Sequence, residues 1–151
     1  MTKETLEKIA LAACIGIVIS AIVYFCFFTP CFQEGADSPE GTVVTFYKYL
    51  NAGEYSKARD LYDIDTIMLG HKAITLADDP EQVAKLTKNG SIDKVKIVSS
   101  RKYQSRKLYS NYVEEHADVK YEIVYKDGSS LENLTRALVK QHGCWVLDPR
   151  Y

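Results

Sequence analysis

Apolar residues fill positions 9–28 without a break: IALAACIGIVISAIVYFCFF carries no charge, and Ser20 is its only clearly polar side chain. A soluble core helix would show a polar stripe, and this run has none. At 1.5 Å per residue, about twenty residues reach roughly 30 Å, the thickness of a bilayer core. Pro30 cannot continue the helix. The pattern predicts a single transmembrane helix over 9–28, with Tyr24 at its distal interface. Lys3 and Lys8 precede the run, and no basic residue follows it until Lys48. The positive-inside rule then assigns 1–8 to a cytoplasmic tail and places the rest outside the membrane. No small-residue cleavage site follows Phe28, so an uncleaved anchor is expected. Leu11-Ala12-Ala13-Cys14 resembles a bacterial lipobox and keeps a lipoprotein open as an alternative.

Beyond the run, 29–37 reads as a polar linker, and the pattern turns helical at Ser38. Ser38 is a helix N-cap with Pro39 at the first helical position. Val43, Val44, Phe46, Tyr47 and Leu50 recur at helical spacing, and Asn51-Ala52-Gly53 stops that helix. A second short helix over 54–62 is expected to turn Tyr55, Ala58, Leu61 and Tyr62 inward. One or two further short helices are expected, around 66–76 and 79–88, the latter starting at Asp79-Pro80-Glu81. From Ser91 the period changes to two. Val95 and Ile97 share one face, and a basic, tyrosine-rich stretch with room for a loop follows over 101–112. Ala117, Val119, Tyr121, Ile123 and Tyr125 alternate strictly with other residues, which predicts a half-buried strand. Asp127-Gly128 marks a hairpin turn into a strand over 131–141, and His142-Gly143 turns that strand into a last one over 144–147. Helices followed by an antiparallel meander predict an α+β domain over 38–151, with helices covering one face of a curved sheet.

Composition narrows the function. Of 19 basic and 20 acidic residues, only Lys3, Lys8, Glu4 and Glu7 lie before the end of the apolar run, so the remainder is near neutral. That balance argues against nucleic acid as a partner. The four cysteines include no C-x-x-C pair, and the histidines His71, His116 and His142 are isolated, so no metal site, zinc included, and no cofactor is expected. In an oxidising compartment Cys31 and Cys144 are a candidate disulfide. S-acylation of Cys26 or Cys31 is a rival use of those thiols. Asn89 and Asn133 begin N-glycosylation sequons, although Asn89 also reads as a turn residue. Arg101, Lys102, Tyr103, Arg106 and Lys107 form a candidate docking surface, and Asp60, Asp63, Asp65, Asp78, Asp79 and Glu81 an acidic counterpart.

The segment SPEGTVVTFYKYLNAGEYSKARDLYD, 38–63, resembles the opening of the cone-shaped fold of nuclear transport factor two. The likeness rests on Ser38-Pro39-Glu40, on Phe46 and Leu50, on Gly53-Glu54-Tyr55 and on Lys57-Ala58. The ending is similar too, with Leu138-Val139-Lys140 followed by Gly143-Cys144-Trp145-Val146-Leu147. The resemblance spans roughly 38–148 and points to the cystatin-like or lumazine-binding-like domains, many of them tethered to bacterial membranes. It implies a cone of two to three helices on a curved sheet, with Phe46, Tyr62, Tyr121 and Trp145 as candidate pocket-lining residues. Isomerases and dehydratases of that superfamily would make Asp60, Tyr62, His71 and Tyr121 the residues to inspect for catalysis. No such set converges in the sequence, so no catalytic residue is assigned. The expectation is a membrane-anchored, extracytoplasmic module that binds a protein partner or itself. A small-molecule or isomerase-like pocket and an envelope lipoprotein are the alternatives.

Overall fold

Ser38 starts the first helix of the domain for a local reason. Its extended backbone lets its hydroxyl oxygen accept from the Gly41 N–H at 3.1 Å, and Pro39 follows with no N–H to leave unpaired. In the computed structural model, residues 13–20, 31, 33–62, 79–88, 90–106 and 113–149 are described. The chain divides into two units, Met1–Pro30 and Cys31–Tyr151. In the first, residues 13–20 are helical and exposed. No helix among the described residues is long and apolar enough to cross a membrane. Positions 9–12 and 21–28 of the expected span, and the tail 1–8, lie outside the described residues.

In the second unit α1 runs Pro39–Ala52, α2 Tyr55–Arg59 and α3 Pro80–Thr87. Strands β1 Ile92–Arg106, β2 Val113–Tyr125, β3 Ser130–Gln141 and β4 Cys144–Leu147 follow. The strands pair in sequence order as one antiparallel sheet, and the unit is α+β. Gly53 ends α1 at φ +74°, a left-handed cap that glycine adopts without strain. Asp79 caps α3 by accepting from the Glu81 and Gln82 N–H groups. The helix expected at 66–76 lies outside the described residues.

The core lies between α1 and one sheet face. Val43, Phe46, Tyr47 and Leu50 of α1 meet Ala117, Val119, Tyr121, Ile123 and Tyr125, all buried as the alternation predicted. Two expected inward residues face solvent instead. Val44 and Tyr55 are each 39% exposed. Val44 adjoins Val43 but sits about 100° around the helix from it. Tyr55 begins α2, a helix of five residues that buries only Ala58.

Three bulges bend the sheet and reset strand parity. Asp93 and Val98 are extra residues on β1, between the pairs Ile92/Lys94 and Ile97/Ser99. On β3 the extra residue falls between Leu131 and Leu134, where Asn133 takes φ +58°. Asparagine tolerates that left-handed geometry, which gives Asn133 a structural role independent of its sequon. His142 at φ +49° and Gly143 at +83° form the two-residue turn that joins β3 to β4.

The segment read as linker is folded over its described residues 33–37. Ala36 is fully buried, and its carbonyl accepts from the Trp145 N–H at 2.7 Å. Gln33 donates to the Asp60 carbonyl at 2.6 Å, and Glu34 pairs with Lys48 and accepts from the Tyr49 hydroxyl. The polar composition of 33–37 hid this, because Gln33 and Glu34 anchor the segment through polar side-chain contacts and only Ala36 is an apolar side chain in the core.

Candidate functional site

β3 carries an arginine on the wrong side of an ordinary strand. Leu134, Arg136 and Leu138 alternate, and Arg136 pairs with the fully buried Val119, so its side chain stands on the core face. Its partners are aromatic. The guanidinium engages the hydroxyls of Tyr47 and Tyr121 and lies 5.9 Å from the centre of the Phe46 ring. The Tyr47 and Tyr121 hydroxyls share a buried hydrogen bond of 2.6 Å, and their rings sit 5.3 Å apart. Burial pushes the Tyr121 hydroxyl far above the ordinary tyrosine value, with Tyr47 adding to the effect, so it stays neutral. Burial works against the Arg136 charge, but Tyr47, Tyr121 and Tyr62 outweigh it and hold the guanidinium cationic. Arg136 Nε is buried and has no hydrogen-bond partner among the described residues.

This cluster floors a cavity of about 760 Å³ between α3 and strands β2 and β3. Leu86, Leu131, Leu134 and Tyr125 supply apolar walls, and Lys85 and Lys88 also line it. Lys88 lies 4.2 Å above the Tyr125 ring and reaches Asp127 at 3.1 Å and the Ser129 hydroxyl at 2.6 Å. Asp127 is held at about 2 by hydrogen bonds from the Ser129 side chain and N–H and by Lys88. Lys85 pairs with Glu81 along α3. The Tyr125 hydroxyl is already committed to the Leu86 carbonyl at 2.7 Å, which ties α3 to the sheet. Among the described lining residues there is no carboxylate and no histidine.

The four residues expected to line a pocket separate. Tyr121 lines the cavity; Phe46, Tyr62 and Trp145 do not and are buried in the core. Phe46 and Tyr62 pack edge to face at 5.5 Å. Trp145 sits on β4 under the ammonium groups of Lys102 and Lys140, 5.6 and 5.8 Å from its ring centre. The described core is thus packed between α1 and β4, and the cavity lies beside α3. Of the residues the resemblance marked for catalysis, Asp60 is exposed, Tyr62 is buried, and His71 lies outside the described residues.

The docking set does not form one patch. Arg101 and Tyr103 pair with Asp118 and His116, whereas Lys102 pairs with Ala117, whose side chain is in the core, and Arg106 shares the Lys102 parity. Strand alternation therefore puts Arg101 and Tyr103 on the outer face, and Lys102 and Arg106 on the other. Tyr103 stacks on the His116 ring at 5.4 Å, and Lys107 lies outside the described residues. The His116 side chain is only 12% exposed and bonds the Ser105 hydroxyl at 2.8 Å. His142 is exposed in its turn. Of the acidic set, Asp79 serves as a helix cap and Glu81 pairs with Lys85; Asp63, Asp65 and Asp78 lie outside the described residues.

Cys31 and Cys144 are joined by a disulfide. Cys14 is free and exposed, and Cys26 lies outside the described residues, as does Asn89. Among the described residues no group of acidic, histidine or cysteine side chains could hold a metal ion.

Arg136 and Tyr47 were missed as site residues. The signal was present for Arg136, since Leu134-x-Arg136-x-Leu138 places a cation at an inward parity. Tyr47 read only as part of an apolar face. Protein-family models, curated proteins and solved structures were all compared with the chain, and none matches.

Proposed function

We propose that this chain is a membrane-tethered binding protein whose α+β unit takes a small ligand into the cavity between α3 and the sheet without transforming it. The cavity itself carries the reading: about 760 Å³ with apolar walls and a few convergent polar groups fits a small-molecule site. The described lining offers cations and neutral tyrosines and no carboxylate or imidazole to accept a proton, which supports binding over isomerase or dehydratase chemistry. Membership of the nuclear-transport-factor-two-like superfamily is part of the proposal. It is supported by the Ser-Pro-Glu helix start, the helix-first order and the bent antiparallel meander. The tether is the apolar run 9–28, with 1–8 cytoplasmic and the domain outside. The Cys31–Cys144 disulfide supports that placement, because cytosolic thiols are kept reduced.

The test uses the full-length chain in neutral-lipid nanodiscs. Native mass spectrometry and thermal shift against a diverse small-molecule library are expected to find ligands that raise the melting temperature. Those ligands should lose their effect in Leu134→Trp, which fills the cavity. Ligands that act equally on that variant would overturn the assignment of the site.

A second reading, docking of a protein partner or another copy, is favoured by the exposure of Arg101 and Tyr103 together on the outer face of β1. Crosslinking in native membranes tests it, and a chain that stays alone there refutes it. The lipoprotein alternative predicts an intact mass lacking the first thirteen residues and carrying lipid at Cys14.

A further inference from the structure

The cavity has an uneven charge inventory. Three cations line it, Lys85, Lys88 and Arg136, and among the described lining residues no anion faces them. Lys85 and Lys88 have acidic partners, in Glu81 and Asp127. Among the described residues no carboxylate pairs with Arg136; its neighbours are the hydroxyls of Tyr47 and Tyr121 and the Phe46 ring. Arg136 is half-buried with its Nε fully buried; a guanidinium withdrawn from water is costly unless its donors and its charge are matched, and among the described residues Nε has no acceptor. The Tyr47–Tyr121 hydrogen bond consumes one hydroxyl proton, and the remaining one is free to be given to a further acceptor. The floor of the cavity thus presents a cation and a phenolic donor. Its walls, Leu86, Leu131, Leu134 and the Tyr125 ring, are apolar.

We propose that the ligand is an apolar monocarboxylic acid, bound with its carboxylate on Arg136 at the cavity floor and its hydrocarbon body along the leucine walls. This rests on the ligand-binding reading above and names its chemical class. A carboxylate matches the guanidinium in shape and takes two parallel N–H bonds. It also matches the charge: one half-buried cation balances one negative charge, whereas a phosphate monoester carries nearly two at neutral pH. Lys85 and Lys88 are 77% and 42% exposed and held by their own partners, so they draw an anion toward the mouth without competing for it at depth.

The experiment compares octanoate, octanol and octyl phosphate on the full-length chain in neutral-lipid nanodiscs, with empty nanodiscs subtracted for partitioning. Carbon-13 at the octanoate carboxyl reports its environment directly. Octanoate is expected to bind at least tenfold tighter than either other probe, with a shifted carboxyl resonance. Arg136→Met should weaken octanoate about tenfold to a hundredfold and leave octanol unchanged. Arg136→Lys should recover part of the loss. Octanol binding as tightly as octanoate would overturn the carboxylate assignment and leave the cavity reading standing. Octyl phosphate binding tighter would overturn it in favour of a dianion. Failure of all three probes to bind would overturn both. The comparison among probes needs only the unaltered chain, so it stands even if Arg136→Met fails to fold.

Discussion

Removing the Cys31–Cys144 disulfide is expected to destabilise the second unit through its unfolded state. The two cysteines are 113 residues apart, so the bond closes nearly the whole unit into a ring. Loop-closure entropy for a ring of that size comes to about 4.8 kcal/mol at 25 °C, and measured losses for native disulfides run about 2–5 kcal/mol. At about 4 °C per kcal/mol for a unit of this size, the melting temperature should fall by roughly 8–20 °C. The folded segment near Cys31 keeps other ties, including Trp145 N–H to Ala36 and Gln33 to Asp60, so the native structure should persist in the Cys31→Ser/Cys144→Ser variant. Urea unfolding of the full-length chain, followed by Trp145 fluorescence, is the assay. The uncrosslinked chain should show a lower midpoint and a steeper denaturant dependence, because its unfolded state expands further. Unchanged midpoint and slope would show that the bond only pins residues 31–37, and would refute the ring argument.

Other outcomes follow from single contacts. Gly41→Ala would drive a methyl group into the Gly35 carbonyl and the Ser38 hydroxyl, so it should cost about 2 kcal/mol or more, read as a lower melting temperature. Thr42 is fully buried, with its hydroxyl 2.9 Å from the Trp145 carbonyl; Thr42→Val should cost about 1–2 kcal/mol, and full stability in that variant would refute the bond's role. Tyr121 is an acid whose folded pKa is raised, so its stabilising contribution is complete below about pH 10, the unfolded value, and is lost as pH rises beyond it. The phenolate absorbance that distinguishes the unaltered chain from Tyr121→Phe should therefore appear only together with alkaline unfolding.

The elements were legible where one local rule decides them. Ser38-Pro39 and Gly53 fix the ends of α1 because a cap and a left-handed residue act within one turn. The alternation over 117–125 is legible because β2 is flanked by strands on both sides and buries one complete face. Legibility fails at the bulges. The extra residue Val98 inverts the parity that Val95 and Ile97 establish, so period two cannot be carried through to Lys102. It also fails for Arg136, where a charged residue signals surface unless its inward parity is read first. The sequence points to Phe46, Tyr62, Tyr121 and Trp145 as pocket-lining, and only Tyr121 is, because large aromatics line cavities and fill cores alike. Which of the two occurs depends on how closely α1 approaches β4, a distance that no residue pattern encodes.

Asn51 does more than precede a helix stop. Its side-chain amide accepts from the Ile92 N–H at 3.0 Å and donates to the Ile92 carbonyl at 3.2 Å. It thereby occupies the first outward rung of β1, which among the described strands lies at an edge of the sheet. An unguarded edge is a template for strand addition by other copies of the chain. With that rung taken, a foreign strand cannot pair along the full length of β1 and must enter from the Arg106 end, where the arginines repel another basic edge. Asn51→Ala, silent as a helix substitution, would uncover the edge and trade a monodisperse protein for one prone to aggregate.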